Sequence, residues 1–239
     1  MITTFARMAL LSVVLLAGAA SAAGPYSYIG DGGERDWARW RYGPVHDDET
    51  QQISFQLETG AAGGDRDMHW GIGLRGGASL VPCPLSDEPQ YAEGCLLGRG
   101  ITFGRVPDGF GTGGVCEGIA VEDFTAAWDG SQAIVAGSCV AYPLRPNRRH
   151  AFIVTATRDN VSWIMLDLGR TRVYNTQTRA YEERVEWLPV ARGGCLETAG
   201  RTCPELPEVD RDYGDVFVTS AFLDEGLGWK VSDLRIIHY

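Results

Sequence analysis

Lysine is almost absent from this sequence, since Lys230 is the only one among 21 basic residues. Acidic residues number 31, which gives a formal net charge of −10. Nucleic acids and anionic membranes bind through basic surfaces, so we expect neither as a partner. Scarce lysine is also typical of a chain encoded in a GC-rich genome, which favours a bacterial origin.

Long apolar runs are absent after the N-terminal segment. There, Arg7 precedes an apolar stretch that is too short to span a bilayer, and Ala20-Ser21-Ala22 has the small residues of a cleavage site. We therefore predict a signal peptide over residues 1–22 and a single exported domain over 23–239. The expected location is secreted or periplasmic, without a membrane anchor.

Motifs of metal–thiolate chemistry are missing, although the chain has six cysteines. None of them forms a Cys-x-x-Cys pair, and no histidine stands at zinc-finger spacing from them. An even number of cysteines in an oxidising compartment predicts disulfides. We expect sequential pairing, because each pair brackets a loop rich in glycine and proline: Cys83–Cys95, Cys116–Cys139 and Cys195–Cys203.

Helical periodicity is scarce, and only residues 121–130 favour a short helix or a turn. Apolar and polar residues alternate instead along many short segments, among them 53–59, 98–105, 151–167 and 214–222. The 31 glycines and 11 prolines punctuate the chain at short intervals, as turns between strands require. The predicted fold is all-β, a single antiparallel β-sandwich with at most one or two short helices.

The hairpin over residues 151–167 is the most detailed local prediction. Asp159-Asn160 fits a two-residue turn, which places Ala156 opposite Trp163 and Val154 opposite Met165. The alternation puts Trp163 in the core, as it does Trp70. In the last segment the alternation slips at Ser232-Asp233, which predicts a β-bulge.

The C-terminal half resembles the concanavalin A-like lectin/glucanase superfamily. The resemblance rests on the turn "YPLRPNRRH", on the hairpin "AFIVTATRDNVSWIMLD" with its Val-x-Trp strand ending in Asp, and on the closing strand "WKVSDLRIIHY". It implies a jelly-roll sandwich. The superfamily includes lectins, glycoside hydrolases and polysaccharide lyases, so the resemblance does not choose between a binding protein and an enzyme.

A candidate binding face lies in "DRDMHWGIGLRGG", residues 65–77. One face of this strand is apolar, while the other has polar ends and two glycines in its middle. We expect the glycine face to share a sheet with the faces of residues 100–104 and 155–162 and to form a bare floor. The hypothesis is that a glycan lies on it, contacting Asp67, His69, Gly71, Gly73 and Arg75.

Two enzymatic alternatives remain open. A hydrolase of this fold carries carboxylates on alternate residues of a strand, and the nearest matches are 208–212 and the pair Glu182 and Glu186. A lyase needs a base and a cation, which His69, Arg75, His238 and Tyr239 would supply, although the family motif is not matched.

No cofactor is expected, unless calcium binds at one of two acidic clusters. Asp210, Asp212 and Asp215 surround Gly214 and offer oxygen ligands, and Asp31, Glu34 and Asp36 form a second acidic cluster. Neither matches a defined calcium motif.

The sequence therefore predicts a secreted, lectin-like protein that binds a polysaccharide on a concave sheet face. The first alternative is a polysaccharide lyase or glycoside hydrolase on the same fold. The second is an exported structural β-domain that binds a protein partner.

Overall fold

The computed structural model describes most of the chain after residue 20, and the following account is confined to those parts. They comprise residues 21–29, 37–43, 45–46, 48–60, 69–78, 96–106, 116–124, 134–135, 137–142, 144–195, 214–221 and 229–239.

The described residues form strands joined by turns. The strands are β1 (Ser21–Ile29), β2 (Trp37–Trp40), β3 (Gln51–Glu58), β4 (His69–Ala78), β5 (Leu96–Val106), β6 (Cys116–Asp123), β7 (Val140–Ala141), β8 (Arg149–Ala156), β9 (Val161–Asn175), β10 (Ala180–Cys195), β11 (Asp215–Ala221) and β12 (Lys230–His238).

Two six-stranded antiparallel sheets make up the sandwich. Sheet A has the order β1-β12-β3-β8-β9-β10, and sheet B the order β2-β11-β4-β5-β6-β7. The C-terminal strands β12 and β11 each insert between two N-terminal strands, the nested connectivity of a jelly roll. The predicted β-sandwich is confirmed.

Of the short helix or turn predicted over residues 121–130, the part that the structure describes contains no helix. Residues 121–123 end strand β6, and Phe124 follows in a turn. The apolar spacing that suggested a helix comes from a strand that turns at its end. No helix in the described parts is long and apolar enough to cross a membrane.

Alternating side chains from both sheets fill the space between them. Along β3 the residues are alternately buried and partly exposed, with Ile53, Phe55 and Leu57 inward. Trp70 and Trp163 are buried, as predicted, and the ring of Trp70 contacts that of Trp229 with centroids 5.9 Å apart. The period-2 pattern thus assigned the core face of each strand.

The hairpin of β8 and β9 differs from its predicted register by two residues. Val154 lies opposite Trp163, and Phe152 opposite Met165. A wider loop closes the hairpin, because the Thr157 side-chain oxygen accepts N–H groups from Asp159 and Asn160 at 3.3 and 3.1 Å. A shift by two leaves every side chain on its predicted face.

One predicted disulfide lies wholly within the described residues. Cys116 and Cys139 are bonded, with Cα atoms 5.9 Å apart. Cys195 is also disulfide-bonded. Its predicted partner, Cys203, lies outside the described residues together with Cys83 and Cys95, so those two pairings stay predictions.

The β-bulge predicted in the last strand is confirmed. The register between β12 and β3 shifts between Ser232 and Arg235, and Asp233 has a φ of +52°. The side chain of Gln56 donates to Asp233 across the bulge at 2.7 Å. At the other end of the chain β1 begins at Ser21, within the predicted signal peptide, whose cleavage stays a prediction.

Candidate functional site

The glycine face of β4 exists, but it is not open. Gly73 lies opposite Gly100 in β5, so the expected patch of glycines does form. A Cβ atom on Gly73 would lie 2.2 Å from Cζ of Phe217, and one on Gly71 would lie 2.8 Å from Cζ of Phe124. The prediction of a bare floor is therefore wrong, because two phenylalanine rings cover the glycines. The faces of residues 155–162 belong to the other sheet.

Arg75 does not project from that face either. Its φ of +49° at a register shift in β4 reorients it, and its side chain is 3 % exposed. The guanidinium donates to the carbonyls of Glu49 at 2.7 Å and His46 at 3.1 Å. Arg75 thus holds a loop. Asp67 and the side chain of His69 lie outside the described parts, and glycan binding by residues 67–75 stays a prediction.

A buried polar network joins Arg75 to His238 and connects the two sheets. Gln51 accepts the N–H of Arg75 at 2.5 Å and approaches Nε2 of His238 at 2.8 Å. The Gln51 amide also donates to the carbonyl of Gly214 at 2.7 Å. Burial lowers the pKa of His238, and Arg75 acts in the same direction against an opposing effect of Glu49. Arg75 and His238, two of the residues that the lyase hypothesis requires, are therefore buried.

We expect this histidine to make stability pH-dependent. The unfolded chain takes up a proton at the ordinary pKa of about 6.5, whereas the folded pKa is lower. The contribution of neutral His238 to the free energy of unfolding is therefore fully present above about pH 6.5. It is lost as the pH falls toward the folded pKa. Denaturant titrations on both sides of that value should show a shallower pH dependence for His238→Gln than for the wild type. Equal slopes would contradict the prediction.

The one predicted calcium ligand in the described parts is already engaged. Asp215 forms an ion pair with Arg39 and accepts the N–H of Tyr42 at 3.1 Å. Asp210 and Asp212 lie outside the described residues. Within the described residues no group of three histidine, cysteine, aspartate or glutamate side chains is placed to hold a metal. Calcium binding stays a prediction.

Two of the predicted hydrolase carboxylates, Glu182 and Glu186, do not line the cleft at the crossing from β7 to β8. Glu182 and Glu186 lie on the hairpin of β9 and β10, where Glu182 accepts from Asn175 at 2.5 Å and lies 3.6 Å from Arg184. Both carboxylates face solvent rather than an enclosed cleft. The stretch 208–212 lies outside the described residues.

A cleft that the sequence analysis did not identify lies at the end of the sandwich where the chain crosses from β7 to β8. Its volume is about 560 Å³. We call it the basic cleft, and it is lined by Tyr142, Arg145, Asn147, Arg148, Arg149, His150, Asp167 and Leu168. In a chain with a net charge of −10, three arginines in one cleft are a local reversal of charge.

The loop that carries these arginines is fixed to β3 by Thr59. The Thr59 hydroxyl donates to the carbonyl of Arg145 at 2.6 Å and accepts the N–H of Arg148 at 3.0 Å. Asn147 occupies a left-handed turn with a φ of +52°. Arg149 is ion-paired with Glu58 at 3.0 Å, whereas Arg145 and Arg148 are exposed and form no ion pair with another described residue.

The wall of the cleft is a hydrogen-bonded set of three side chains. His150 and Asp167 are directly opposite in β8 and β9, and Nδ1 of His150 contacts Asp167. The hydroxyl of Tyr142 donates to the same carboxylate at 3.3 Å. Burial raises the pKa of Tyr142, and the charge of Asp167 raises it further. Tyr142 therefore keeps its proton at neutral pH.

His150 is the least exposed of the three, at 3 %. Because Nδ1 faces a carboxylate, the neutral ring carries its proton there and leaves Nε2 as a hydrogen-bond acceptor. Among the described residues Nε2 has no hydrogen-bond partner. A buried acceptor without a partner is uncommon in folded proteins, and a bound water, an ion or a functional role can account for it.

The sequence contains signals for this cleft. "YPLRPNRRH" and the Asp that ends the Val-x-Trp strand carry the resemblance to the fold and also supply residues of the cleft. Arg145, Arg148 and Arg149 fall within a few residues of one another in an otherwise acidic chain. That local charge reversal was the available signal for an anion site.

Comparisons with known proteins found similar structures but no similar family. No family model matches the chain, and no curated protein does. Basic winged bean lectin is similar over 92 % of this chain and 99 % of its own, with 8 % identity and a TM-score of 0.44. The exoplasmic domain of VIP36 is similar over 88 % and 76 %, with 13 % identity and a TM-score of 0.42.

A seed lectin of Lotus tetragonolobus is similar at the same level. The match covers 90 % of this chain and 97 % of the lectin, with 8 % identity and a TM-score of 0.42. These lectins are of the class that the C-terminal segments resemble. At such values the likeness carries no argument about function, which has to come from the site.

Proposed function

We propose that this protein is a secreted, lectin-like carbohydrate-binding protein and that its basic cleft binds an acidic segment of a polysaccharide. The observation that supports this proposal most is the meeting of three arginines with Tyr142, His150 and Asp167 in one cleft. Its volume of about 560 Å³ is within the range of roughly 300–1,000 Å³ for small-ligand sites.

The chemistry of the lining suits a sugar that carries a carboxylate or a sulfate. Guanidinium groups bind such anions through paired, charge-assisted hydrogen bonds, which Arg145 and Arg148 would supply. The carboxylate of Asp167 accepts hydrogen bonds from sugar hydroxyls, and the side chain of Leu168 offers apolar surface to a ring face. A neutral sugar would leave Arg145 and Arg148 without an anionic partner.

Binding of polygalacturonate, alginate and chondroitin sulfate, measured by calorimetry against neutral dextran, tests this proposal. We expect at least one acidic chain to bind and dextran not to. The double variant Arg145→Ala/Arg148→Ala should weaken binding by roughly 100-fold or more, because each charge-assisted bond contributes about 1.5–3 kcal/mol and two are lost.

The matched control is Arg170→Ala, which removes an exposed arginine from the hairpin of β9 and β10. It changes the net charge in the same direction outside the cleft, and we expect unchanged affinity. Equal affinity of the double variant and the wild type would contradict a site in the basic cleft. Equal losses in the control and the double variant would show a nonspecific charge effect.

The contact between His150 and Asp167 favours a second candidate function, a lyase acting on uronate polymers. In this reaction a base removes the proton at C5 of a uronate, a double bond forms between C4 and C5, and the glycosidic oxygen at C4 leaves. The carboxylate of Asp167, held by His150, is the candidate base, because Nε2 of His150 is itself buried, while the arginines would neutralise the carboxylate of the uronate and Tyr142 would protonate the leaving oxygen. Ultraviolet absorbance of the unsaturated product separates the candidates, since a binding protein produces none.

A further inference from the structure

A further concavity lies on the outer face of sheet A, next to the basic cleft. Its volume is about 370 Å³, and we call it the outer groove. Its lining includes Gln56, Ala151, Leu166, Trp187, Asp233 and Arg235. These residues come from strands β3, β8, β9, β10 and β12, so the groove runs across the strands of the sheet.

The floor of the outer groove is one row of paired residues. Gln56 lies opposite Ala151, Ala151 opposite Leu166, and Leu166 opposite Pro189. Ala151 has the smallest side chain of this row and therefore leaves a depression in its middle. Gln56, Ala151 and Leu166 are partly exposed, so a ligand can reach the floor.

The two ends of the outer groove differ in chemistry. At the end on β10, the partly exposed Trp187 and Leu166 present apolar surface. At the end on β12, Asp233 and Arg235 are exposed, and Gln56 donates to Asp233 at 2.7 Å. A sugar ring has an apolar face that stacks on an aromatic side chain and hydroxyl groups that bind carboxylates, amides and guanidinium groups. The groove offers a sugar both kinds of contact.

The charges that line the outer groove balance each other. One carboxylate, Asp233, and one guanidinium, Arg235, lie at the same end. The basic cleft, by contrast, combines three arginines with one aspartate. An acidic sugar in the groove would be repelled by Asp233 without the excess of arginines that the cleft supplies. The groove therefore favours a neutral sugar.

The outer groove and the basic cleft adjoin at Leu168. This residue lines the cleft and lies directly opposite Trp187, which lines the groove. In β9 the groove residue Leu166 is two positions from Leu168, which corresponds to about 7 Å along a strand. In β8 His150 of the cleft and Ala151 of the groove are consecutive. A chain held in the cleft thus reaches the groove with its next sugar residue.

We propose that the two concavities bind one chain, with an acidic sugar in the basic cleft and a neutral sugar in the outer groove. The ligand class is then an acidic heteropolysaccharide in which charged and neutral residues alternate, rather than a homopolymer of uronate. This proposal rests on the proposed function, because the groove adds affinity to a chain that the arginines of the cleft already hold. A neutral chain such as dextran lacks that anchor.

Calorimetry with two kinds of hexasaccharide tests the proposal. Hyaluronan and unsulfated chondroitin alternate glucuronate with a neutral N-acetylhexosamine, whereas oligogalacturonate is charged at every residue. Trp187→Ala should weaken binding of the alternating chains about tenfold and change that of oligogalacturonate less than about twofold, because only the alternating chains stack a neutral ring on the indole. The matched control, Tyr181→Ala, removes an exposed aromatic side chain from the same strand and should change neither affinity.

The variant Asp233→Asn gives a readout that a loss of packing would not produce. It removes a negative charge at an exposed position, and asparagine tolerates the left-handed φ of +52° found there. Affinity for oligogalacturonate should therefore rise roughly threefold or more, since its next carboxylate can enter the groove. Affinity for the alternating chains should stay within about threefold of the wild type, because their neutral residue meets no repulsion in either protein.

The variants separate this proposal from the one on which it rests. If Arg145→Ala/Arg148→Ala weakens both kinds of chain while Trp187→Ala and Asp233→Asn change neither, the neutral site alone is overturned. If the double variant binds like the wild type, or the wild type binds no acidic chain, the basic cleft is not the site and both proposals fail. A wild type that binds oligogalacturonate but neither alternating chain would overturn the alternating ligand.

Discussion

Replacement of Trp163 by alanine is expected to lower the free energy of unfolding by about 3–5 kcal/mol. Trp163 is 2 % exposed, and it lies opposite Val154 between the two sheets. Its ring also occupies the space above Gly193 of β10, where a Cβ would lie 2.7 Å from Cζ2. Alanine would therefore leave a cavity bounded by strands that cannot close around it.

Denaturant titration of Trp163→Ala measures this loss. The control is Trp187→Ala, since Trp187 is partly exposed on the outer face of sheet A and its removal opens no internal cavity. We expect a clearly smaller loss for the control. A loss below about 1 kcal/mol for Trp163→Ala would be too small for a buried aromatic residue and would contradict its place in the core.

The sequence was sufficient for the faces of the strands but not for their pairing. Alternation assigned Ile53, Phe55 and Trp163 to the core because the side-chain period of a strand is two. The same period leaves shifts by two residues undetected, so the hairpin of β8 and β9 was predicted in the wrong register on the correct face. The side-chain hydrogen bonds of Thr157 favour the wider loop over the two-residue turn. Such hydrogen bonds between a side chain and the nearby backbone are only weakly visible in the alternation of apolar and polar residues.

The basic cleft was beyond prediction for a different reason. Tyr142, His150 and Asp167 come from a turn and from two strands whose pairing fixes their contact. The local arginine cluster was visible in the sequence, but the residues it meets depend on the sheet order. The local charge was thus an available signal for an anion-binding surface, and only the fold supplied the histidine and the carboxylate.

The failure of the bare-floor hypothesis has a similar cause. The alternation in β4 located the glycines on the outer face of sheet B, and this position is confirmed by their pairing with β5. What lies above them comes from other strands, because Phe217 belongs to β11 and Phe124 follows β6. The two rings contact each other with centroids 4.9 Å apart. Glycine here makes room for the rings of the protein itself.

Replacement of Gly73 by leucine is therefore expected to destabilise the fold, by about 3 kcal/mol, at the upper end of the usual cost of overpacking. The first added atom already falls 2.2 Å from the Phe217 ring, which is 1 % exposed and has little space to move. An open glycan floor predicts the opposite, a stable protein that no longer binds.

The control for this substitution is Gly43→Ala, because a Cβ there would meet no atom within 4 Å. We expect it to change stability by less than about 1 kcal/mol, whereas Gly73→Leu shifts the denaturant midpoint strongly downward. Under conditions where Gly73→Leu is still folded, its affinity for an acidic polysaccharide should equal that of the wild type, since the basic cleft is intact. A Gly73→Leu variant of normal stability and impaired binding would contradict this prediction and indicate that the glycine face of β4 is the binding site.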